Sequence, residues 1–126
     1  MNSKLAGGGP FADRGVYDLA FHLGLLNDVP QLQSLQSFKR NDLRDMSQVV
    51  KFSDVEQHGA AWMKFDTGLT YYYENGAGVH NEVTNETRLY GTKGGLRFHH
   101  YSWDSNEVEF FSVENDQLQK ETFRVD

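Results

Sequence analysis

The sequence predicts an α+β fold, in which one N-terminal helix packs on an open-faced, mainly antiparallel sheet of about six strands. Apolar residues recur with helical spacing in the first part of the chain and with strand spacing after it. Short turns join the later strands, and short turns force neighbouring strands to run antiparallel. Because one helix covers one face of a sheet, the second face should meet another subunit or carry a groove.

The helix is predicted to begin after a run of three glycines and to continue for about sixteen residues. Pro10 suits the first turn of a helix, because its missing N–H costs nothing there. Asn27, with Pro30 just beyond, should end the helix. Apolar residues at spacings of three and four form one stripe along it, which consists of Ala12, Val16, Leu19, Leu23 and Leu26.

Strands are predicted from runs rich in aromatic and β-branched residues that are bounded by turn residues. A first strand covers Leu32–Lys39, and the polar segment Asn41–Ser53 should be a loop or a short irregular helix. Three hairpins follow, since short turns with Gly, Asn or Asp separate the paired runs. The pairs are Val55–Phe65 with Leu69–Glu74, Thr84–Tyr90 with Leu96–Tyr101, and Val108–Val113 with Glu121–Val125.

Composition restricts the class of protein. The 126 residues are the size of one domain, which we expect to span residues 1–126. A net charge of −6, from 12 basic and 18 acidic side chains, argues against nucleic acid as a partner. The absence of cysteine excludes disulfides and thiolate metal sites. No apolar run is long enough to cross a membrane and no signal-peptide pattern begins the chain, so a cytoplasmic location is expected.

Asp13 and Tyr17 are the candidate catalytic residues. They are four apart on the predicted helix, so they share one face, and they flank the apolar stripe at the rim of whatever the helix packs on. A tyrosine can exchange a proton with an alcohol if a nearby cation lowers its pKa, and a carboxylate can orient a substrate hydroxyl. The alternative interpretation is an ordinary amphipathic helix with a surface Asp and a half-buried Tyr.

The glycine run Gly7–Gly9 is not followed by a phosphate-binding motif and has no strand before it. A close approach of backbone to backbone at the helix start is therefore the favoured interpretation. The triple Tyr71–Tyr73 must present rings on both faces of its strand. One set belongs under the helix, and the other needs a subunit interface or, as the second choice, a sugar-binding surface.

The histidines do not have the spacing of a metal site. No H-x-x-x-H or H-x-H pair occurs, and the adjacent His99 and His100 point to opposite faces of a strand, so no metal is expected. His80 and Asn81 are the candidate substrate-binding residues, because they lie in the small-residue stretch Gly76–Glu82, where a ligand could approach the backbone. A structural or surface role for His80 is the alternative.

One segment is recognisable. Residues Gly7–Leu26 resemble the opening of the C-terminal domain in Gfo/Idh/MocA oxidoreductases, in which a glycine run precedes D-x-G-x-H or D-x-G-x-Y and an apolar helix. Two later segments resemble family patterns in the right order: Val55–Gly68, an acidic lead-in followed by F-x-x-G, and Leu89–Leu96, with G-T-x-G. The residues that fall on the first motif are Asp13, Gly15 and Tyr17.

The resemblance implies that the intact protein has an N-terminal Rossmann domain that binds NAD or NADP and is absent from this chain. Hydride would move between the nicotinamide and a sugar or polyol carbon, with help from a lysine of the first half. The helix side would face the nucleotide domain, and the open sheet face would form a homo-oligomer. Carried over, Tyr17 would donate or accept the proton, and Asp13 would orient the substrate or Tyr17.

Two positions depart from the commoner pattern. Tyr17 stands where histidine is usual, which resembles the glucose–fructose oxidoreductase type of site. Ala20 stands where many members have a substrate-binding aspartate, which weakens the case for a polyol such as inositol. Without a glycine turn for the pyrophosphate, this chain alone should neither bind the cofactor well nor catalyse. The alternative functions are a non-catalytic dimerisation module and a sugar-binding module.

Overall fold

The chain divides into two compact units, Met1–Asn81 and Glu82–Asp126. The computed structural model describes residues 4, 7–27, 29–42, 54–77, 79–82, 85–100 and 105–125. The predicted α+β class and antiparallel pairing are confirmed, but the seven strands of the described residues form two sheets, of three and four strands, instead of one sheet of about six. The single-domain boundary stays a prediction.

Helix α1, Pro10–Leu26, has the predicted start and end. Pro10 lies in its first turn, and Asn27 ends it in the left-handed conformation, with its backbone N–H donated to the carbonyl of Gly24. Asn tolerates that conformation because its short polar side chain bonds locally. No helix among the described residues is both long and apolar enough to cross a lipid bilayer.

The first sheet consists of β1 (Leu32–Arg40), β2 (His58–Phe65) and β3 (Thr70–Gly76), in that order and antiparallel throughout. Residues 43–53, which include most of the predicted loop, lie outside the described residues. Helix α1 packs on β2 and β3, whereas every residue of β1 is exposed. The core under the helix contains Ala61, Met63, Phe65 and Tyr73, flanked by Phe11, Leu19, Leu69 and Tyr71.

The helix meets the sheet with a face that only partly coincides with the predicted apolar stripe. Gly15 is buried and His22 is half-buried, whereas Val16, a member of the stripe, is 60% exposed. The helix is therefore turned by roughly half a residue position from the orientation that the apolar stripe predicts. Gly15 makes this possible, because a Cβ there would lie only 3.2 Å from Cε1 of Tyr73.

The second unit is a four-stranded meander of β4 (Glu86–Tyr90), β5 (Gly95–His99), β6 (Glu107–Glu114) and β7 (Gln117–Arg124). Its hairpins are those predicted, although β7 begins four residues before the predicted Glu121. Asn115 and Asp116, with φ of 51° and 60°, form the two-residue turn before β7, as primed hairpin turns require. The register puts apolar side chains on one face: Leu89, Leu96, Phe98, Val108, Phe110 and Phe123.

The sheets separate between β3 and β4. Short turns join the strands on either side of this point, but residues 77–85 separate these two strands, which is longer than a hairpin turn. No turn therefore forces β4 to pair with β3, and no such pairing occurs among the described residues.

Gly9→Ala should destabilise the first unit, because the new Cβ would lie 2.5 Å from the backbone carbonyl oxygen of Glu56. Overpacking of this kind costs about 1–3 kcal/mol. Gly24→Ala is the matched control: nothing lies within 4 Å of a Cβ there, and alanine is favoured over glycine in a helix by about 1 kcal/mol. Chemical denaturation measures both free energies of unfolding. A Gly9→Ala chain of unchanged stability would contradict the close approach.

Candidate functional site

The N-terminus of α1 is capped by a carboxylate from another part of the chain. Both carboxylate oxygens of Glu56 accept the backbone N–H of Gly9 at 2.9 Å, and Oε1 accepts that of Ala12 at 3.2 Å. The backbone of Gly9 also lies against the backbone carbonyl of Glu56. The interpretation of the glycine run as a close approach is confirmed, since a carboxylate already satisfies the N–H groups that an anion would need.

Opposing effects act on the pKa of Glu56. Partial burial alone would raise it, but hydrogen bonds from backbone N–H groups, including those of Ala12 and Gly9, and the charge of Lys39 outweigh burial. The net result is a pKa below the ordinary value, so the carboxylate is ionised at neutral pH. A negative charge at a helix N-terminus is also stabilised by the helix dipole.

Asp13 and Tyr17 lie side by side on the face of α1 that points away from the sheet, instead of at its rim. Both are exposed, and Tyr17 is 69% exposed. Other apolar side chains of α1 are also exposed, among them Val16, Phe21 and Leu25. Neither Asp13 nor Tyr17 has a side-chain hydrogen bond to the residues that the structure describes, so both are available to a ligand or another domain.

A polar contact joins the opposite face of α1 to β3. The hydroxyl of Tyr73 donates to Oδ2 of Asp18 at 2.8 Å and accepts from Nδ2 of Asn75 at 3.0 Å. Burial raises the pKa of Tyr73 well above its ordinary value, and the hydrogen bond to Asp18 raises it further. Tyr73 is therefore a hydrogen-bond donor that stays protonated.

A second polar contact lies one turn further along the helix. Nδ1 of His22 and the hydroxyl of Tyr71 share a hydrogen bond of 2.7 Å. Burial, followed by the charge of Asp18, raises the pKa of Tyr71 well above its ordinary value. As predicted, Tyr71 and Tyr73 lie under the helix, where their rings stack with centroids 6.4 Å apart. The sequence-based expectations did not include Asp18 and His22, the helix partners of these tyrosines. Their spacing of four residues, which puts them on one helix face, was the available signal.

The open face of the first sheet carries aromatic and charged side chains. The rings of Trp62 and Tyr72 lie 4.7 Å apart between centroids, and Trp62 is 55% exposed. Glu74 accepts a hydrogen bond from the hydroxyl of Tyr72 at 2.8 Å and pairs with Nε2 of His58 at 2.8 Å. The ring of Phe38 lies 5.8 Å from that of His58. This face therefore combines an exposed aromatic pair with polar groups that already have partners.

His80 and Asn81 follow β3 and are exposed. No hydrogen bond joins either residue to Asp13 or Tyr17 within the described part of the chain. Their role in substrate binding stays a prediction.

The second unit has a shallow polar cleft of about 350 Å³, lined by Glu86, Arg97, Phe98, His99, Ser105, Glu107 and Glu109. Its carboxylates already pair with basic side chains: Glu86 with Arg88, Glu109 with Arg97 and Lys120, and Glu107 with Arg124. Among the described residues no cluster of His, Asp and Glu has the arrangement of a metal site. The carboxylates that line the cleft are therefore each neutralised by a basic side chain.

Comparison with known protein families identifies the domain. The family profile of the GFO/IDH/MocA C-terminal domain matches residues 1–97, which is well over half of the chain. The chain belongs to this family. A comparison with curated proteins found no match to this chain.

The match to the GFO/IDH/MocA C-terminal domain covers α1, the first sheet, β4 and most of β5. It therefore includes every candidate residue and confirms the family that Gly7–Leu26 resembles. The general kind of domain follows: this family is the C-terminal part of GFO/IDH/MocA oxidoreductases. The interpretation of Tyr17 as a replacement for histidine stays a prediction.

Glu56→Gln should lower the free energy of unfolding at neutral pH by about 1 kcal/mol, the usual contribution of a helix cap. Because the folded-state pKa of Glu56 lies below its ordinary value of 4.5, its stabilisation is fully present above that value and is lost as the pH falls through the lowered pKa.

Denaturation of the unsubstituted chain and the variant from about pH 3 to pH 7 measures this difference. Glu121→Gln, at an exposed position of β7, is the control and should have no comparable effect. A difference for Glu56→Gln that grows as the pH falls would contradict the assignment of the cap.

Proposed function

We propose that this domain supplies the substrate-side residues of an NAD(P)-dependent oxidoreductase that acts on a sugar or polyol and whose Rossmann domain lies outside this chain. One observation carries the proposal: in a GFO/IDH/MocA C-terminal domain, Asp13 and Tyr17 stand exposed on the outward face of α1. The apolar side chains around them, such as Val16 and Phe21, support a second domain that covers this face.

In this proposal Tyr17 exchanges a proton with a substrate hydroxyl at its phenol oxygen, and Asp13 accepts a hydrogen bond from a neighbouring hydroxyl and so orients the substrate. When bound to the other domain, NAD(P) supplies or accepts the hydride. The start of α1 is not free to bind its pyrophosphate, since the N–H groups of Gly9 and Ala12 donate to Glu56. In this proposal the cation that makes Tyr17 competent is a lysine of the other domain, as the family resemblance implies.

We propose in addition that the open face of the first sheet forms a homo-oligomer. Exposed Trp62 and Tyr72 support this, because aromatic residues are enriched at protein interfaces. The hydrogen bonds of Tyr72 and His58 to Glu74 also support it, since the polar groups of this face need no water as partner. A sugar-binding surface on the same aromatic pair is the alternative. The cytoplasmic location expected from the sequence is part of the proposal.

Tyr17→Phe should reduce turnover of the oxidoreductase that contains this domain by about 100-fold or more, the usual contribution of a general acid or base. Absorbance of the reduced cofactor, followed with a panel of sugars and polyols, measures the rate. Tyr90→Phe is the matched control, because Tyr90 is an exposed tyrosine of β4 in the second unit. An unchanged rate in Tyr17→Phe would remove Tyr17 from the mechanism.

Trp62→Glu should weaken self-association by about tenfold or more, as expected for an aromatic residue near the centre of an interface. Sedimentation velocity over a concentration series measures this. Leu118→Glu, which introduces the same charge at an exposed apolar position of β7, should leave association unchanged. If the unsubstituted chain is a monomer at every concentration, the oligomer proposal fails, and tryptophan fluorescence titrated with sugars then tests the alternative.

A further inference from the structure

We propose that the two hydrogen-bonded pairs between α1 and β3, Asp18 with Tyr73 and His22 with Tyr71, set the rotation of α1 about its axis and so hold Tyr17 outward. The four side chains act as positioning residues. The rotation itself follows from the geometry of the first unit. Its importance for Tyr17 rests on the proposed function.

The apolar pattern of α1 on its own favours another rotation. With the stripe of Ala12, Val16, Leu19, Leu23 and Leu26 against the sheet, the helix would bury the most aliphatic surface. In the observed orientation Leu19 and Leu23 are half-buried, but Ala12 is exposed and Val16 is 60% exposed. Burial of Phe11, whose ring centroid lies 5.2 Å from that of Tyr73, offsets part of this loss, and a further interaction between α1 and β3 makes up the rest.

The hydroxyl groups of Tyr71 and Tyr73 supply that interaction. Both phenols lie under the helix, where a buried hydroxyl without a partner is unfavourable. The hydroxyl of Tyr73 donates to Asp18 at 2.8 Å, and the hydroxyl of Tyr71 shares a hydrogen bond with His22 at 2.7 Å. Asp18 and His22 are four residues apart on α1. A rotation that buried Val16 would carry Asp18 and His22 away from β3 and would leave both phenols without their helix partners.

Gly15 lies on the same face of α1 as Asp18 and His22, the face that meets the sheet. It lets the ring of Tyr73 approach the helix backbone, where a side chain would meet the ring at 3.2 Å. Close approach and hydrogen bonding thus select the same rotation. Because Tyr17 directly precedes Asp18 and successive helix residues are turned by about 100°, the direction of Asp18 fixes that of Tyr17.

Thiol reactivity tests the rotation, since the full chain has no cysteine and single thiols can be introduced. Val16→Cys reports the stripe, and Arg14→Cys, at an exposed position on the opposite side of the helix from Val16, is the control. Each is made in the unsubstituted chain and in a chain with Tyr71→Phe and Tyr73→Phe, which removes both hydroxyls and keeps both rings. The rate of reaction with a coloured disulfide reagent is measured.

If the hydroxyls set the rotation, their removal should protect the thiol at position 16 and slow its reaction by about tenfold, as for a group that reacts through a minor state of about 10% population. The thiol at position 14 should stay reactive. Local unfolding would speed the reaction at position 16, so slowing is specific to rotation. An equal or faster rate at position 16 would overturn the inference.

Kinetics of the intact oxidoreductase separate this inference from the proposed function. If Tyr17 exchanges the proton, the two phenylalanine substitutions should lower kcat and leave the KM for the cofactor unchanged, because Tyr17 turns away while the cofactor site is in the other domain. If Tyr17→Phe has no effect on turnover, the proposed function fails, while slower reaction of the thiol at position 16 still supports the rotation. Normal kcat together with normal thiol rates would overturn the inference.

Discussion

The contact between α1 and β3 is the interaction on which the first unit depends. The core under the helix consists of a few side chains, of which Met63, Phe65 and Tyr73 are the large buried ones. Gly15 brings the helix backbone against the ring of Tyr73, and Asp18 and His22 give the buried hydroxyls their partners. Polar groups that must be satisfied therefore decide the orientation of α1.

The features that the sequence predicted are those with local causes, whereas the contact between α1 and β3 is long-range. The bounds of α1 and the last hairpin depend on Pro10, Asn27 and Asn115, whose effects on the backbone are local and can be read from neighbouring residues. The rotation of α1 depends on hydroxyls about fifty residues further along the chain, which an apolar pattern within the helix does not contain. Candidate residues could thus be named from a motif, whereas the direction of Tyr17 required the packing of α1 on β3.

Glu56 links the glycine run to the electrostatics of the site. The acidic residue before β2 reaches back to the start of α1, where its charge meets the helix dipole and the N–H groups of Gly9 and Ala12. The positive end of the helix is neutralised within the chain, so it cannot serve as the cation that a catalytic tyrosine needs. This domain then offers a carboxylate and a phenol on its outward face, and under the proposed function the site becomes complete when the nucleotide domain brings the charge.

The second unit extends beyond the family match, which ends at Arg97 in β5. That residue pairs with Glu109 of β6, and the hydrogen bonds from Arg97 and then Lys120 lower the pKa of Glu109 to about 2. β5, the strand in which the match stops, is hydrogen-bonded to β4 on one edge and to β6 on the other, so β6 covers an edge that would otherwise be unpaired. Because these charges neutralise one another, the polar face of the second sheet has little free charge with which to attract a ligand. Under the proposed function, recognition therefore uses the outward face of α1 and the open face of the first sheet.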